Sequence, residues 1–451
     1  MGEETMRAQL QRRVGIALLL CAAWAALPST SWAQKLTKQG RRWVAEIENR
    51  FAVQPGGRLL MHDISGDVTI RSWDKPEVYI VERRRMDVFT KAEAEEALKR
   101  AQACYRQMGN TIEVDGSELH RRWMESSFEV QLPAPFDVDV TTSGGDLFMA
   151  GVRGAIKLKT AGGDITMLDA AGDAELSTSG GDIVVNGNDG VLTASTAGGD
   201  IRASRITQRA KLTTSGGDIA LEQIGGSVEA STAGGDIVVR ESKGGARLKT
   251  SGGDIVLVGA GGEVEATTAG GDIEVRTSTG AVKASTSGGD VSLFDIGGPI
   301  IAKTAGGDIR SRTIKGGVQA STSGGDIELR GVEGFIEAST AGGDLYGEMT
   351  LSDFSVPHHV RMRTSGGEVT LAIPEKLPAT VQAVLKLTER ANDKYEILSD
   401  FSLTIREESG GGWGRHIEKV ITATGDLNGG GDRIELETTN GTIRIRKLHT
   451  P

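Results

Sequence analysis

The stretch TSGGDIVLVGAGGEVEATTAGGD, residues 250–272, opens and closes on the same five-residue motif, Thr-(Ser or Ala)-Gly-Gly-Asp, and carries a second glycine pair, Gly261-Gly262, midway. Working outward, the acid of that motif returns at Asp146, Asp164, Asp182, Asp200, Asp218, Asp236, Asp254, Asp272, Asp290, Asp308, Asp326 and Asp344, always after 18 residues. A looser copy, Thr364-Ser365-Gly366-Gly367-Glu368, follows a six-residue insertion. A fixed period sustained over so long a span is the signature of a solenoid, in which each unit buries its apolar face only by stacking on its neighbours.

Within each unit the residues after the acid alternate. Ile255 and Leu257, Ile273 and Val275, Val291 and Leu293 fall on one face, with polar or variable residues between them. Val264, Ala266 and Thr268 alternate in the same way before the next motif. Two short strands per unit, joined by glycine turns, predict an all-β, parallel β-solenoid (a β-helix) with Ile and Leu on one wall facing Val, Ala and Thr on the other. About 13 coils at a spacing of roughly 4.8 Å give a core roughly 60 Å long.

A 36-residue coil is the competing reading, because the residue before the glycines alternates: Ser143, Ala161, Ser179, Ala197. Charge decides against it. Lys211, Glu229, Arg247, Glu265 and Lys283 alternate in sign from one unit to the next. An 18-residue coil sets opposite charges side by side; a 36-residue coil stacks like on like.

Two ladders follow from the motif. Inward threonines at Thr142, Thr160, Thr178 and onward are expected to hydrogen-bond their stacked neighbours while their methyls pack. No base accompanies them, so no nucleophile is assigned. The aspartates repel one another by about 1 kcal/mol per adjacent pair even in water. Backbone N–H groups of each aspartate's own glycine turn are the expected compensation. Calcium is the alternative, but it wants six to eight oxygens and one carboxylate per coil supplies too few. No metal and no cofactor is therefore expected.

Composition agrees with this architecture. The chain has 63 glycines and 4% aromatics beside 38% apolar residues, which excludes collagen and disorder and fits a turn-rich β repeat. Residues 1–33 read as a secretory signal peptide: Arg7, Arg12 and Arg13 precede the apolar run Val14–Leu27, and Ser31-Trp32-Ala33 supplies small residues for cleavage. Cys21 follows Leu18-Leu19-Leu20, a poor lipoprotein site, so cleavage after Ala33 is expected. Removal takes away three basic and two acidic residues, moving the net charge from −10 to −11. Such a chain is a poor nucleic-acid partner. Cys104 is then the one remaining cysteine, so no intrachain disulfide is expected. No other segment is long and apolar enough to span a membrane.

The expected organisation is a leader over 1–33, an α+β N-terminal cap over 34–140, the solenoid over 141–370 and a β C-terminal cap over 371–451. The N-terminal cap contains a lone early motif, Ile64-Ser65-Gly66-Asp67-Val68, and a predicted helix from Lys91 to Met108 with Ala94, Leu98, Ala101 and Tyr105 at helical spacing. Trp43, Trp73, Trp123 and Trp413 lie outside the repeats, where large side chains can cover an open sheet edge. The C-terminal cap has Pro374, Pro378, a Gly410-Gly411-Gly412 loop and a worn repeat, Thr438-Thr439-Asn440-Gly441-Thr442-Ile443. Ser65-Gly66-Asp67, the serial Thr-x-Gly-Gly-Asp motifs, Ser399–Thr404 and Thr438–Ile443 together resemble the bacterial adhesin family of β-strand-repeat domains of unknown function. That resemblance implies a β-helical envelope protein and carries over no catalytic residue.

The function expected is binding, adhesion or scaffolding by an exported protein that is periplasmic, cell-surface or secreted, with an envelope or extracellular polymer or protein as partner. The candidate face carries Arg240, Val256, Val258, Arg276, Phe294 and Arg312, where apolar and cationic residues share neighbouring coils. A polysaccharide-active β-helical enzyme is the alternative, and the break at Gly347–Arg363, with Glu348, Asp353, His358 and His359, is the only place for its site. A self-assembling filament, associating through the solenoid ends, is the third.

Overall fold

The computed structural model of the protein describes residues 32–33, 36–101, 104–117, 124–388, 394–409 and 417–448. The leader before Trp32, and with it Cys21, lies outside the described residues, as do Trp123, Gly410–Gly412 and Trp413. Trp32–Ala33 pair with Glu48 and Ile47.

Two sheets, one of 21 strands and one of 20, stack as the walls of a flattened solenoid. A typical coil gives a six-residue strand such as Ile255–Ala260 to the first sheet and a four-residue strand such as Val264–Thr267 to the second. Register settles the coil length: Val238 pairs with Val256, and Lys211 with Glu229, each 18 residues apart and parallel. Ile255, Leu257, Val264 and Ala266 are completely buried between the walls. Each such Ile or Leu contributes about 1.5–3 kcal/mol, and the column repeats it at every coil.

The motif is explained coil to coil rather than within one turn. Thr250 is buried, and its Oγ1 donates to Gly235 O of the preceding coil at 2.9 Å while accepting from Gly253 N at 3.3 Å. The threonines thus bridge two glycine backbones; they do not bond one another as expected. Asp254 Oδ1 accepts the backbone N–H of Asp272 in the next coil at 2.8 Å, and the same bond recurs from Asp67 to Glu368. The carboxylates therefore serve the next coil's turn, not their own. A hydrogen bond to a charged acceptor is worth about 1.5–3 kcal/mol, more than the roughly 1 kcal/mol of repulsion between neighbours.

The second glycine of the motif is required by crowding. A Cβ on Gly253 would lie 2.2 Å from Gly235 O and 2.4 Å from Asp236 Oδ1, whereas one on Gly252 would come no nearer than 3.2 Å to any atom. Left-handed backbone appears elsewhere, near the end of each first-sheet strand. Arg205, Gln223, Glu241, Gly259, Thr277, Asp295 and Thr313 all have φ between 54° and 82° and form one column. For a non-glycine residue this conformation costs about 1–2 kcal/mol.

The stacking reaches past 141–370 in both directions, and at each end one coil is laid down out of chain order. Gly57–Ile64 and Val68–Trp73 lie between the coil formed by Thr111–Asp115 and Met124–Pro133 and the coil that starts at Phe136. At the other end Asp432–Thr439 and Ile443–Leu448 lie between the coil of Val360–Pro374 and that of Ala379–Ser399. The worn repeat is a working one: Thr438 Oγ1 donates to Gly367 O at 2.6 Å. Antiparallel strands then close the ends, Glu77–Met86 and Arg42–Ala52 at one, Ile417–Leu427 and Thr404–Ser409 at the other.

The helix, α1, spans Lys91–Ala101 and is shorter than its spacing predicts. Thr90 and Glu93 form a reciprocal capping box at its start. Its expected continuation, Tyr105–Met108, is instead a strand paired with Thr111–Asp115 through a Gly109-Asn110 turn. Tertiary pairing overrides helical propensity there because Tyr105 delivers its hydroxyl to Glu82 Oε2 at 2.6 Å. Glu82 and Arg84 are fully buried under the cap, joined by an Arg84 Nε–Glu82 Oε1 bond of 2.8 Å, and Ser126 Oγ donates to Glu82 at 2.7 Å. Burial, then the Glu82 charge, raises the Tyr105 hydroxyl well above its ordinary value. Cys104 is buried beside this network.

Candidate functional site

The first sheet's outer face is organised by the parallel register. Arg240, Val258, Arg276, Phe294 and Arg312 pair in succession and form one column along the solenoid, with Arg330 continuing it. Val256 belongs to the adjacent outward column, between Val238 and Glu274. Five of the six expected residues are thus brought into line and the sixth lies beside them. Val258 is 38% exposed, while Val256 and Phe294 are half-buried.

Charge is distributed unevenly on this column. Arg276 bonds Glu274 and lies over the Phe294 ring, 5.6 Å from its centroid. Arg330 bonds Glu328 and lies over Tyr346, and that pairing holds its guanidinium above its ordinary value. Arg240 and Arg312 have no ion-pair partner among the described residues. In the neighbouring column Arg310 is taken up by Asp308 at 2.6 Å and Asp290 at 3.3 Å.

Beside the column runs a groove of about 810 Å³ over the coils from Arg205 to Thr277. Its lining contains the left-handed residues Glu241, Gly259 and Thr277, each directly following a member of the arginine column. Of its glycines, Gly225 and Gly261 face the preceding coil's backbone, while a Cβ on Gly259 would come no nearer than 3.7 Å to any atom; the charged lining is Lys243, Glu241 and Arg205, the last held by Asp169 at 3.2 Å. No sequence period points to this groove, because the left-handed column has no constant residue type.

The opposite sheet carries the predicted charge ladder. Lys211 reaches Glu229 at 2.9 Å, and Glu265 is held by Arg247 at 2.9 Å and Lys283 at 3.1 Å. Lys283's hydrogen bond, followed by the two cationic charges, keeps Glu265 below its ordinary value. These groups satisfy one another and leave little net charge to offer a ligand.

The histidines of the break separate. His358 is buried, its ring nitrogens 2.9 Å from Val356 O and 3.0 Å from Pro378 O, with its backbone N–H on Asp432. His359 stacks on Phe335 at 4.9 Å and lies 3.4 Å from Glu337. The two rings thus engage different partners. A grouping that sequence reading missed is His62, Asp63 and Asp115, whose ligand atoms lie within 4.8 Å of one another. Parallel pairing of His62 with Asp115 across the chain creates it, and no local spacing announces it. His62 Nε2 is engaged by Glu113 at 3.0 Å, which raises its pKa, and Asp115 accepts the Ser117 N–H at 2.9 Å.

No helix among the described residues is long and apolar enough to cross a membrane. The family described as Toastrack DUF4097 matches residues 69–295, half of the chain, from just after the early Ser-Gly-Asp motif to the middle of the solenoid. No curated protein and no solved structure matches.

Proposed function

The chain belongs to the Toastrack DUF4097 family, a repeat domain of unknown function, and we propose that it acts as an exported, envelope-associated solenoid that binds, adheres or scaffolds along its first sheet without catalysis. Export rests on the basic, apolar and small-residue pattern of residues 1–33. Binding rests on one observation above all: Arg240, Val258, Arg276, Phe294 and Arg312 share a single outward column, with Arg240 and Arg312 in no ion pair among the described residues. Solenoids present such surfaces as long, repeated arrays, and apolar residues interleaved with cations mark a contact surface rather than a solvated wall. The catalytic alternative loses its best residues, because His358 is consumed by backbone carbonyls and His359 by Phe335 and Glu337.

Cell fractionation tests the location, with recovery in the envelope or secreted fractions expected and a cytoplasmic protein contradicting it. The face is tested by replacing Val256, Val258 and Phe294 together with serine. The fold should survive and retention on envelope material should fall. Unchanged retention would mean another surface binds, and polysaccharide cleavage abolished by His358→Ala or His359→Ala would establish the enzyme instead.

A further inference from the structure

Building on that binding-face reading, we infer that the ligand is a linear acidic polysaccharide with a carboxylate on every second sugar, lying parallel to the solenoid axis. Between Glu222 and Arg330, which bound the segment in the same column, cation and apolar residue alternate coil by coil: Arg240, Val258, Arg276, Phe294, Arg312. Parallel strands set successive coils about 4.8 Å apart, so the cations repeat every ~9.6 Å. One disaccharide of an extended β-linked chain has nearly that length. A uronic acid on alternate sugars therefore meets a guanidinium each time, and the sugar between packs its C–H face on Val258 or Phe294. A polymer charged on every sugar would place half its carboxylates against those apolar residues and leave them unpaired, which costs affinity.

Charge and shape favour the same occupant. The protein carries a net −10, so a polyanion is repelled over most of the surface and is favoured only at a local reversal of sign. The groove alongside adds Lys243, opposed by Glu241, because its Arg205 is already bonded to Asp169 at 3.2 Å. Arg276 keeps unused donors despite its bond to Glu274, because a guanidinium has five N–H groups and a carboxylate occupies at most two in a fork. The stripe is continuous, as the coils are in uniform register, which suits an extended polymer better than a globular partner.

The test is calorimetric titration of the purified protein with size-defined fragments of hyaluronan (acid on alternate sugars), polygalacturonate (acid on every sugar) and a neutral β-linked glucan, at low and high salt. Hyaluronan fragments should bind best, more weakly as salt rises, and affinity should climb with length until the fragment spans the ~19 Å from Arg240 to Arg312. The triple variant R240Q/R276Q/R312Q should lose about tenfold or more. Lys249→Gln with Lys303→Gln, on the opposite sheet, should change nothing. Equal affinity for both polyanions, tighter binding to anionic lipid vesicles or single-stranded DNA, or full affinity in the triple variant overturns the assignment. If hyaluronan fails while the Val256, Val258 and Phe294 serine variant still loses envelope retention, the polysaccharide falls and the binding face stands. If neither set of variants alters retention, both fall.

Discussion

The repeated middle of the chain and its two ends are held together by different means. In the middle, every coil makes the same three contacts with its neighbour: a buried Thr to a glycine carbonyl, an Asp carboxylate to an Asp N–H, and a buried aliphatic side chain, Ile, Leu or Val, right after the acid. At the ends these contacts run out, the aspartate bond beginning at Asp67 and the threonine bond ending at Thr438. The N-terminal cap depends on the buried Glu82–Arg84 pair with Tyr105 and Ser126, and each end interleaves one coil out of chain order. Stability in the middle is therefore spread over many equivalent bonds, whereas the N-terminal cap concentrates it in a few side chains.

That contrast is most easily broken at the cap. Arg84→Ala leaves Glu82 buried without its counter-charge and should cost about 3–5 kcal/mol, read as a separate early unfolding transition of the N-terminal end. Loss of the whole solenoid in one step would show the two regions to be a single cooperative unit. Within the middle, Gly253→Ala forces a Cβ against Gly235 O and should cost about 3 kcal/mol, while Gly252→Ala, one residue away, should cost about 1 kcal/mol or less in chemical denaturation. Equal costs would mean that the pair serves turn conformation rather than close approach. Thr250→Val keeps the shape but strands Gly235 O and Gly253 N, for an expected loss of about 1–2 kcal/mol. Thr277→Gly should have the opposite sign, stabilising by about 1 kcal/mol or less, because it relieves a β-branched residue at φ 60°.

The smallest effect expected is on the second sheet's charge ladder. Lys159 holds Glu175, Lys283 holds Glu265 and Arg361 holds Glu435 below the ordinary glutamate value of 4.5. Folded values below unfolded ones contribute stability that is full above the ordinary range and lost as pH falls through the depressed values. Melting temperature should decline slightly over that acid window, and less so in Lys283→Gln. All these groups are at the surface, so a decline carried mainly by Lys283 would contradict the account.

What was readable in the sequence follows the same division. The coil length, the inward Ile and Leu and the alternating charges were all legible because an 18-residue period fixes every neighbour by counting. Counting also predicts the column from Arg240 to Arg312, and it separates Val256 from it. The partners of Thr250 and Asp254 were not legible, since the motif shows which residues recur but not which backbone atoms of the next coil face them. The left-handed column escaped because Arg205, Gln223, Glu241 and Thr277 share a conformation and no chemistry. Interleaving at the ends, the shortened α1 and the His62–Asp115 proximity all rest on pairings between distant segments that no period links.

The claim that coil-to-coil bonds made by the chain itself hold the solenoid is tested most directly by melting the purified protein with calcium and with a chelator. Each motif aspartate from Asp67 to Asp344 already gives one oxygen to the next coil's N–H, so both curves should superimpose and the β signal should be complete with chelator present. A large rise in melting temperature with calcium, or β structure that forms only on its addition, would contradict the account.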